Sequence, residues 1–254
     1  MGPASREDRL IGVVMVTDSV PIDLVLVDFD DTLVDTAPRF QNARRALLAL
    51  LQEAGFSEDV AYDVLYHEID PEMRQRYGLG PRRMEPTFIA TYERLCRLHG
   101  IAPDLPLSAR AAELGRSCYG VPAAFEGALH ALQRLVAVHP TVIYTQSGEL
   151  EYQLSCIRGA GVVDIVNEER VRICERKDAD AFRETLGWYG VADPAGAWMI
   201  GNSMRSDINP ALEAGANAIL VESADPWEYD MVEPHGPHFH CVPSFPHAVN
   251  LLVR

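Results

Sequence analysis

The chain has 254 residues, enough for one large domain or for a domain that carries an insertion. Its net charge of −15 argues against nucleic acid and anionic membranes as partners, because both repel an acidic surface. The five cysteines form no CxxC pair, so reduced thiols and a cytoplasmic location are expected. No apolar run approaches the roughly 20 residues that a membrane span needs, and residues 1–20 are expected to form a loose tail.

Short apolar runs alternate with amphipathic segments along most of the chain. Four runs predict buried strands of a parallel sheet: Ile22–Val27, Thr141–Tyr144, Ala197–Ile200 and Ala218–Val221. Apolar residues at three- and four-residue spacing predict helices between and after them: Ala123–Val136, Gly148–Gly159, Ala179–Trp188 and Asn209–Gly215. This alternation predicts an α/β fold whose core is a Rossmann-like parallel sheet.

The gap between the first two predicted strands indicates an inserted module. It exceeds 110 residues, whereas a strand–helix–strand unit takes about 30. Residues 38–118 follow helical patterns almost throughout and predict an all-helical cap, which leaves 21–37 and 119–254 as the core. The cap holds 11 Arg and 11 acidic residues, so the whole net charge of −15 lies outside it.

The stretch VLVDFDDTLVDT, residues 25–36, ends a predicted buried strand in three carboxylates. Asp28, Asp30 and Asp31 fall within four positions. Like charges at this spacing repel one another, and burial removes their hydration. A bound cation is the first compensation to consider. For Asp31 a solvated or helix-capping role is favoured over catalysis.

Further polar residues stand where the later predicted strands end. In an open α/β sheet the carboxyl ends of the strands converge on the ligand crevice. These ends hold Thr145 and Gln146, then Asn202 with Asp207 five residues further on, and Lys177 precedes a helix between them. Lys177 is the only lysine among 22 basic residues, which favours a specific role for its compact ammonium group.

These four segments, in their order and spacing, resemble the motifs of the haloacid dehalogenase superfamily, whose members are mostly magnesium-dependent phosphatases. The resemblance covers roughly residues 22–222 and includes a helical, C1-type cap after the first motif. It implies that Asp28 is the nucleophile that forms an aspartyl-phosphate and that Asp30 is the general acid and base. Dehalogenases of the superfamily lack the second aspartate, so Asp30 favours the phosphatase branch.

The resemblance also implies a Mg²⁺ site. The ion would be held by Asp28, by Asp30 through its backbone carbonyl, and by a group from the last motif. Many relatives have Gly-Asp in that motif, whereas this chain has Asn202. Either the Asn202 amide is a weaker ligand or Asp207 supplies the missing carboxylate, and the sequence leaves both open.

The remaining motif residues would bind the phosphoryl group. The resemblance implies that the Thr145 hydroxyl, Gln146 and neighbouring backbone N–H groups hold the phosphoryl oxygens, while Lys177 offsets their charge. The family's usual proline after this lysine is Asp178 here.

One cap segment is rich in arginine: Arg74, Arg76, Arg82 and Arg83. These side chains would suit a second anionic group on the substrate, such as a carboxylate or another phosphate. The alternative is a solvated loop that neutralises nearby acidic residues, and the sequence does not decide between them.

The sequence therefore predicts a magnesium-dependent phosphomonoester hydrolase that acts on a small phosphorylated metabolite, as a monomer or a homodimer. Two alternatives remain. A phosphomutase also uses both aspartates. A binding or regulatory protein that kept the fold and lost turnover is favoured only by Asn202.

Overall fold

The computed structural model describes residues 21–223, 226–237 and 239–253, and the predicted tail, residues 1–20, lies outside this part of the chain. The strands are β1 Leu24–Val27, β2 Thr141–Gln146, β3 Val171–Cys174, β4 Ala197–Gly201, β5 Asn217–Val221 and β6 His240–Val242. They form one parallel sheet in the order β3-β2-β1-β4-β5-β6. The predicted α/β fold class is confirmed.

Two strands of this sheet were not among those that the sequence predicts. β3 and β6 lie at the two edges of the sheet. All four residues of β3 are only half-buried, whereas every residue of β1 and β4 is buried. An edge strand lacks a neighbour on one side, so it carries a weaker apolar signal than the central strands do.

The cap helices are α1 Ala37–Glu53, α2 Glu58–Asp63, α3 Asp70–Tyr77, α4 Met84–His99 and α5 Leu105–Arg116. The core helices are α6 Ala128–Val136, α7 Leu150–Gly159, α8 Val163–Val166, α9 Ala179–Trp188, α10 Asn209–Ala214 and α11 Phe245–Leu252. Two π-helical turns, Val64–Ile69 and Met204–Ile208, lead into α3 and α10. Within the described part of the chain, no helix combines the length and the hydropathy needed to cross a membrane.

Helices cover both faces of the sheet. Successive side chains of a strand point to opposite faces. Val25 and Val27 accordingly pack in one apolar cluster with α6, α8 and α11. Leu24 and Leu26 pack in another with α9 and α10. The core is therefore a three-layer α/β domain with β1 buried at its centre.

The cap has an apolar core of its own. Leu47 and Leu51 of α1, Leu65, and Phe88 and Leu95 of α4 are fully buried in this cluster. All of its members and the apolar residues packed against it lie between positions 40 and 118. Residues 40–118 thus pack as a separate helical module.

The sheet topology places three strand ends side by side. β1 lies between β2 and β4, and Val27 pairs with both Ile143 and Ile200. The chain therefore leaves β1, β2 and β4 at one edge, where the strand order reverses. Open α/β sheets bind their ligands at this kind of position.

A cap loop contacts the end of β2 through backbone atoms. The N–H group of Gly148 donates to the carbonyl of Leu79 at 2.8 Å. A Cβ atom at Gly148 would lie 2.6 Å from the carbonyl oxygen of Tyr77, so this close approach requires glycine. Beside it, Glu149 Oε1 accepts the backbone N–H of Arg82 at 2.7 Å. These contacts hold the cap over the edge where β1, β2 and β4 end.

Candidate active site

A cavity of about 610 Å³ lies between these strand ends and the cap. Its volume falls within the roughly 300–1,000 Å³ of typical small-molecule sites. Its core side includes all seven core residues that the sequence predicts: Asp28, Asp30, Thr145, Gln146, Lys177, Asn202 and Asp207. The structure therefore brings together residues from four separate segments of the chain.

Lys177 joins two carboxylates at the buried end of the cavity. Its Nζ donates to Asp28 Oδ1 and, at 2.6 Å, to Asp207 Oδ1. The other oxygen of Asp207 accepts the backbone N–H of Ser203 at 3.0 Å. Because protein donors occupy both oxygens of Asp207, this residue anchors Lys177 beside Asp28.

Glycine at the end of β4 makes room for this arrangement. A Cβ atom at Gly201 would overlap the carboxylate of Asp207. The Ser203 hydroxyl accepts the N–H of Ser206 at 3.0 Å and so starts the π-helical turn that carries Asp207 back toward β4. Gly201 is therefore required because the buried carboxylate of Asp207 packs directly against its backbone.

Burial and charge together set the protonation of the buried pair. The pKa of Asp28 lies well above its usual range. Burial is the main cause and the Asp207 carboxylate adds to it, whereas the Lys177 ammonium opposes the shift. Burial lowers the pKa of Lys177, but the carboxylates of Asp207 and Asp28 outweigh burial and raise it. Lys177 is therefore charged, and an additional cation near Asp28 would favour the ionised carboxylate.

Asp30 lies on the cavity wall and is held by two donors. The Thr36 hydroxyl donates to Asp30 Oδ1 at 2.6 Å, and Gln153 Nε2 donates to Asp30 Oδ2. The same Gln153 nitrogen donates to Thr145 Oγ1 at 3.1 Å. The Asp30 carboxylate is thus fixed beside Thr145, at the end of the strand next to β1.

Asn202 faces two oxygens of the first motif. With Oδ1 turned inward, it accepts from the Thr32 hydroxyl at 3.3 Å and faces the carbonyl oxygen of Asp30 at 3.1 Å and Asp28 Oδ2 at 3.3 Å. With the amide turned over, its nitrogen donates to those same oxygens. The first orientation directs a carboxylate, a carbonyl and an amide oxygen toward one region, which is a donor set that suits Mg²⁺.

The described part of the chain contains no metal site built from charged or sulfur ligands alone. There, no three His, Cys, Asp or Glu side chains form a group that could hold a metal ion. A cation at the strand ends would therefore depend on neutral oxygens as well as on carboxylates. This is compatible with Mg²⁺, which keeps several water ligands.

Asp31 has the capping role that the sequence favours for it. Its backbone adopts a positive φ of 56°, and its Oδ1 accepts the N–H groups of Thr36 and Ala37 at 2.9 and 2.7 Å. Burial raises the pKa of Asp31 to about 6, although the two backbone donors oppose this shift. Asp31 thus caps the start of α1, where the chain passes from the core into the cap.

The four predicted cap arginines separate into two groups. Arg74 and Arg83 line the cavity. Arg76 and Arg82 are not among the described residues that line it, and their guanidinium carbons lie 5.3 and 5.8 Å from the centre of the Tyr77 ring. The cavity thus includes Arg74 and Arg83, whereas Arg76 and Arg82 are exposed and fit the alternative of a solvated segment.

Several residues that line the cavity are not among those predicted from the sequence: Thr36, Arg44, Asp70, Gln153, Trp227 and Tyr229. Arg44 and Gln153 occupy buried positions of α1 and α7. A charged or amide side chain on the buried face of a helix is a usable signal, because such groups are rarely buried without a purpose. Trp227 and Tyr229 lie in a loop for which the sequence offered no such signal.

The fold and the geometry of the site agree with one protein family. A model of haloacid dehalogenase-like hydrolases matches residues 22–215. The chain belongs to this family. No curated protein matches the sequence of this HAD-like hydrolase significantly.

Solved structures with the same fold cover nearly the whole chain. A haloacid dehalogenase-like family hydrolase from Xanthomonas campestris is 25% identical, with a TM-score of 0.74 over 93% of this chain and 94% of that one. The HAD-hydrolase YfnB from Bacillus subtilis, described as bound to magnesium, is 16% identical, with a TM-score of 0.57 over 91% and 99%. A 2-haloacid dehalogenase from Pseudomonas syringae pv. Tomato is 19% identical, with a TM-score of 0.56 over 91% and 98%.

These similarities confirm the predicted superfamily and show a HAD-like hydrolase. At 16% and 19% identity the last two structures show the fold alone. One of them is named as a dehalogenase. Because the same fold supports different reactions, the bond that this enzyme cleaves has to be argued from its own side chains.

Proposed function

We propose that this HAD-like hydrolase is a magnesium-dependent phosphomonoester hydrolase that works through an aspartyl-phosphate on Asp28. The supporting observation is the carboxylate of Asp30, held on the cavity wall by Thr36 and Gln153. Hydrolysis of a phosphomonoester needs a group that protonates the leaving oxygen and then activates water. The loss of a halide needs no such proton, so Asp30 favours the phosphatase over the dehalogenase.

In the first step, a carboxylate oxygen of Asp28 attacks phosphorus, and the bond between phosphorus and the leaving oxygen breaks. Asp30 gives its proton to that oxygen, which departs as an alcohol. The Lys177 ammonium, which touches Asp28, offsets the negative charge on the phosphoryl oxygens. Thr145 and Gln146 line the same region and would orient those oxygens.

In the second step, the Asp30 carboxylate takes a proton from water, whose oxygen attacks phosphorus. The bond from phosphorus to Asp28 breaks, inorganic phosphate leaves, and Asp30 is again protonated. Gln153 supports both steps because its amide nitrogen bonds to Asp30 and to Thr145 at the same time. It is a positioning residue for the acid and base.

The residues that would hold Mg²⁺ are Asp28, the backbone carbonyl of Asp30, and Asn202. When bound, the ion offsets the negative charge of the carboxylates and of the phosphoryl group. We assign the third ligand to Asn202 rather than to Asp207. Both oxygens of Asp207 already accept hydrogen bonds from protein donors, whereas Asn202 lies within 3.3 Å of the other two oxygens.

The hydrolase proposal is tested with p-nitrophenyl phosphate and Mg²⁺. We expect Asp30→Asn to lower kcat by about 100- to 10,000-fold, the usual contribution of general acid–base catalysis. Asp28→Asn is expected to abolish turnover, because an amide is a poor nucleophile. The exposed carboxylate of Asp35 provides a matched control, and Asp35→Asn should keep the wild-type rate.

Three results would contradict the proposal. Equal rates of p-nitrophenyl phosphate hydrolysis in the wild type and in Asp28→Asn would show that Asp28 is not the nucleophile. Chloride release from 2-chloropropionate, with no phosphate release from any ester, would identify a dehalogenase. Transfer of phosphate within a bisphosphorylated sugar, without release to water, would identify a phosphomutase.

A further inference from the structure

The cap wall of the cavity places three arginines around one carboxylate. Arg83 donates to Asp70, and Arg44 and Arg74 approach the two Asp70 oxygens at 3.7 and 3.8 Å. Arg44, Arg83 and Asp70 are buried, with only 6%, 4% and 2% of their surface exposed. All four residues line the cavity. This cluster carries more positive charge than its single carboxylate neutralises.

Part of this positive charge lacks a hydrogen-bond acceptor. Among the described residues, none accepts from the buried Nε and Nη2 atoms of Arg44 or from Nε of Arg83. The 3.7 Å between Arg44 Nη2 and Asp70 is an ion-pair distance, but it is too long for a hydrogen bond. A buried polar group without a partner destabilises the fold, so the wall is suited to an acceptor that comes from outside the protein.

The charges around Arg83 show the same excess. The pKa of Arg83 falls to about 10, because burial and the charges of Arg44 and Arg74 lower it more than Asp70 raises it. An anion bound between these guanidinium groups would offset their mutual repulsion.

We infer, on the basis of the proposed function, that Arg44, Arg74 and Arg83 form a second anion site and that the substrate is a phosphomonoester with a carboxylate or a second phosphate at its other end. A guanidinium group binds either anion through paired hydrogen bonds. The cavity of about 610 Å³ includes both this cluster and Asp28, so one small molecule can occupy both ends.

A purely structural role for the cluster makes a different prediction. Asp70 begins α3, Arg44 lies in α1, and Arg83 ends the turn before α4, so the ion pairs also join three cap elements. If this were their whole purpose, replacing Arg44 would weaken the fold and would affect all ligands alike. A second anion site instead discriminates between ligands with and without the distal charge.

The test measures binding, so it does not depend on turnover. Calorimetry in the presence of Mg²⁺ compares three series of equal chain length: alkylphosphonates, ω-phosphonocarboxylates and alkylene bisphosphonates. We expect the wild type to bind the best ligand with a second anion at least about tenfold more tightly than its alkylphosphonate counterpart, the effect of one or two charge-assisted hydrogen bonds. Preference for the carboxylate or for the bisphosphonate series then identifies the distal group.

Neighbouring arginines of α1 supply the variant and its control. Arg44 is buried, whereas Arg45 is exposed. Arg44→Gln should remove most of the preference for a second anion, and Arg45→Gln should retain it. Thermal unfolding establishes that each variant is folded. If Arg44→Gln does not fold, Arg74→Gln carries the same test, because Arg74 is only half-buried.

The outcomes separate this inference from the hydrolase proposal. Preferential binding that Arg44→Gln abolishes, without phosphate release from any ester, supports the anion site and rejects the hydrolase. Hydrolysis of p-nitrophenyl phosphate without any preference for a second anion, or with the same preference in Arg44→Gln, overturns the anion site and leaves the hydrolase intact.

Discussion

Lys177 is the only lysine of the chain, and its ammonium group lies between the carboxylates of Asp28 and Asp207. An ammonium is a compact point charge that can donate in several directions, whereas a guanidinium is planar and larger. The buried space between these two carboxylates therefore suits lysine, even though the chain uses arginine for its other 21 basic residues.

Asn202 is the one neutral side chain that is proposed to bind Mg²⁺. Its amide oxygen can face the oxygens of Asp28 and Asp30, but it adds no negative charge. We expect Asn202→Asp to lower the Mg²⁺ concentration at half-maximal activity, because a carboxylate ligand attracts the ion more strongly. A titration of p-nitrophenyl phosphate hydrolysis with Mg²⁺ measures this change.

The control adds the same charge elsewhere. Asn250 is exposed and bonds to Arg134 on the surface, so Asn250→Asp should leave the Mg²⁺ dependence unchanged. An unchanged Mg²⁺ requirement in Asn202→Asp would contradict the assignment of Asn202 as a ligand. The thermal stability of this variant without Mg²⁺ should fall, because the new carboxylate faces that of Asp28.

Two loops of the core hold the cap over the cavity. One contains Gly148 and Glu149, at the end of β2. The other contains Trp227 and Tyr229, whose ring centres lie 5.1 and 4.2 Å from the guanidinium carbon of Arg74. Stacking of this kind contributes about 0.5–1 kcal/mol at exposed sites and up to about 2 kcal/mol where the charge is desolvated. The cap position thus depends on several small contacts rather than on one large interface.

Removing Glu149 tests this connection between elements. Glu149 accepts from the backbone N–H of Arg82 and from the Tyr119 hydroxyl, at 2.7 and 3.0 Å. We expect Glu149→Ala to speed hydrogen exchange in a peptide that spans residues 78–83, because the Arg82 amide loses its acceptor. Mass spectrometry measures the exchange. Glu151, exposed in the first turn of α7, is the control, and Glu151→Ala should not alter it. Equal exchange in both variants would show that Glu149 does not hold the cap loop.

At the scale of the whole molecule, core and cap have separate apolar clusters. Phe88 of α4 is fully buried within the cap cluster, which contains no residue of the sheet. Its replacement by alanine removes apolar contacts and leaves a cavity, so we expect Phe88→Ala to lower the free energy of unfolding by about 3–5 kcal/mol. Chemical denaturation measures this loss.

Phe125 is the matched control for this substitution, because 39% of its surface is exposed. Phe125→Ala should cost less than half as much, since it removes less buried surface. A loss of stability in Phe88→Ala no larger than that in Phe125→Ala would contradict the cap as a well-packed module.

Other properties of the whole molecule remain predictions. All five cysteines are unpaired in the described part of the chain, and the cytoplasmic location stays a prediction. The choice between monomer and homodimer likewise awaits a measurement of mass in solution.

The amino-acid sequence is enough to predict the central parallel strands, the superfamily and the segments that meet at the cavity. This is possible because the central strands are largely apolar, because Asp28 and Asn202 directly follow such strands, and because Thr145 lies near the end of one. In a parallel sheet, residues at these positions converge whatever the length of the chain between them. Local pattern and topology were sufficient for this part of the site.

The side chains that complete the site can be identified only from the folded chain. Gln153 reaches Asp30 from α7, and Arg44 meets Asp70 and Arg83 from a different cap element. The edge strands and the directions of Arg76 and Arg82 also depend on what packs beside them. These features follow from contacts between helices and loops that are distant in sequence, and the periodicity within one element carries no information about its partner in another.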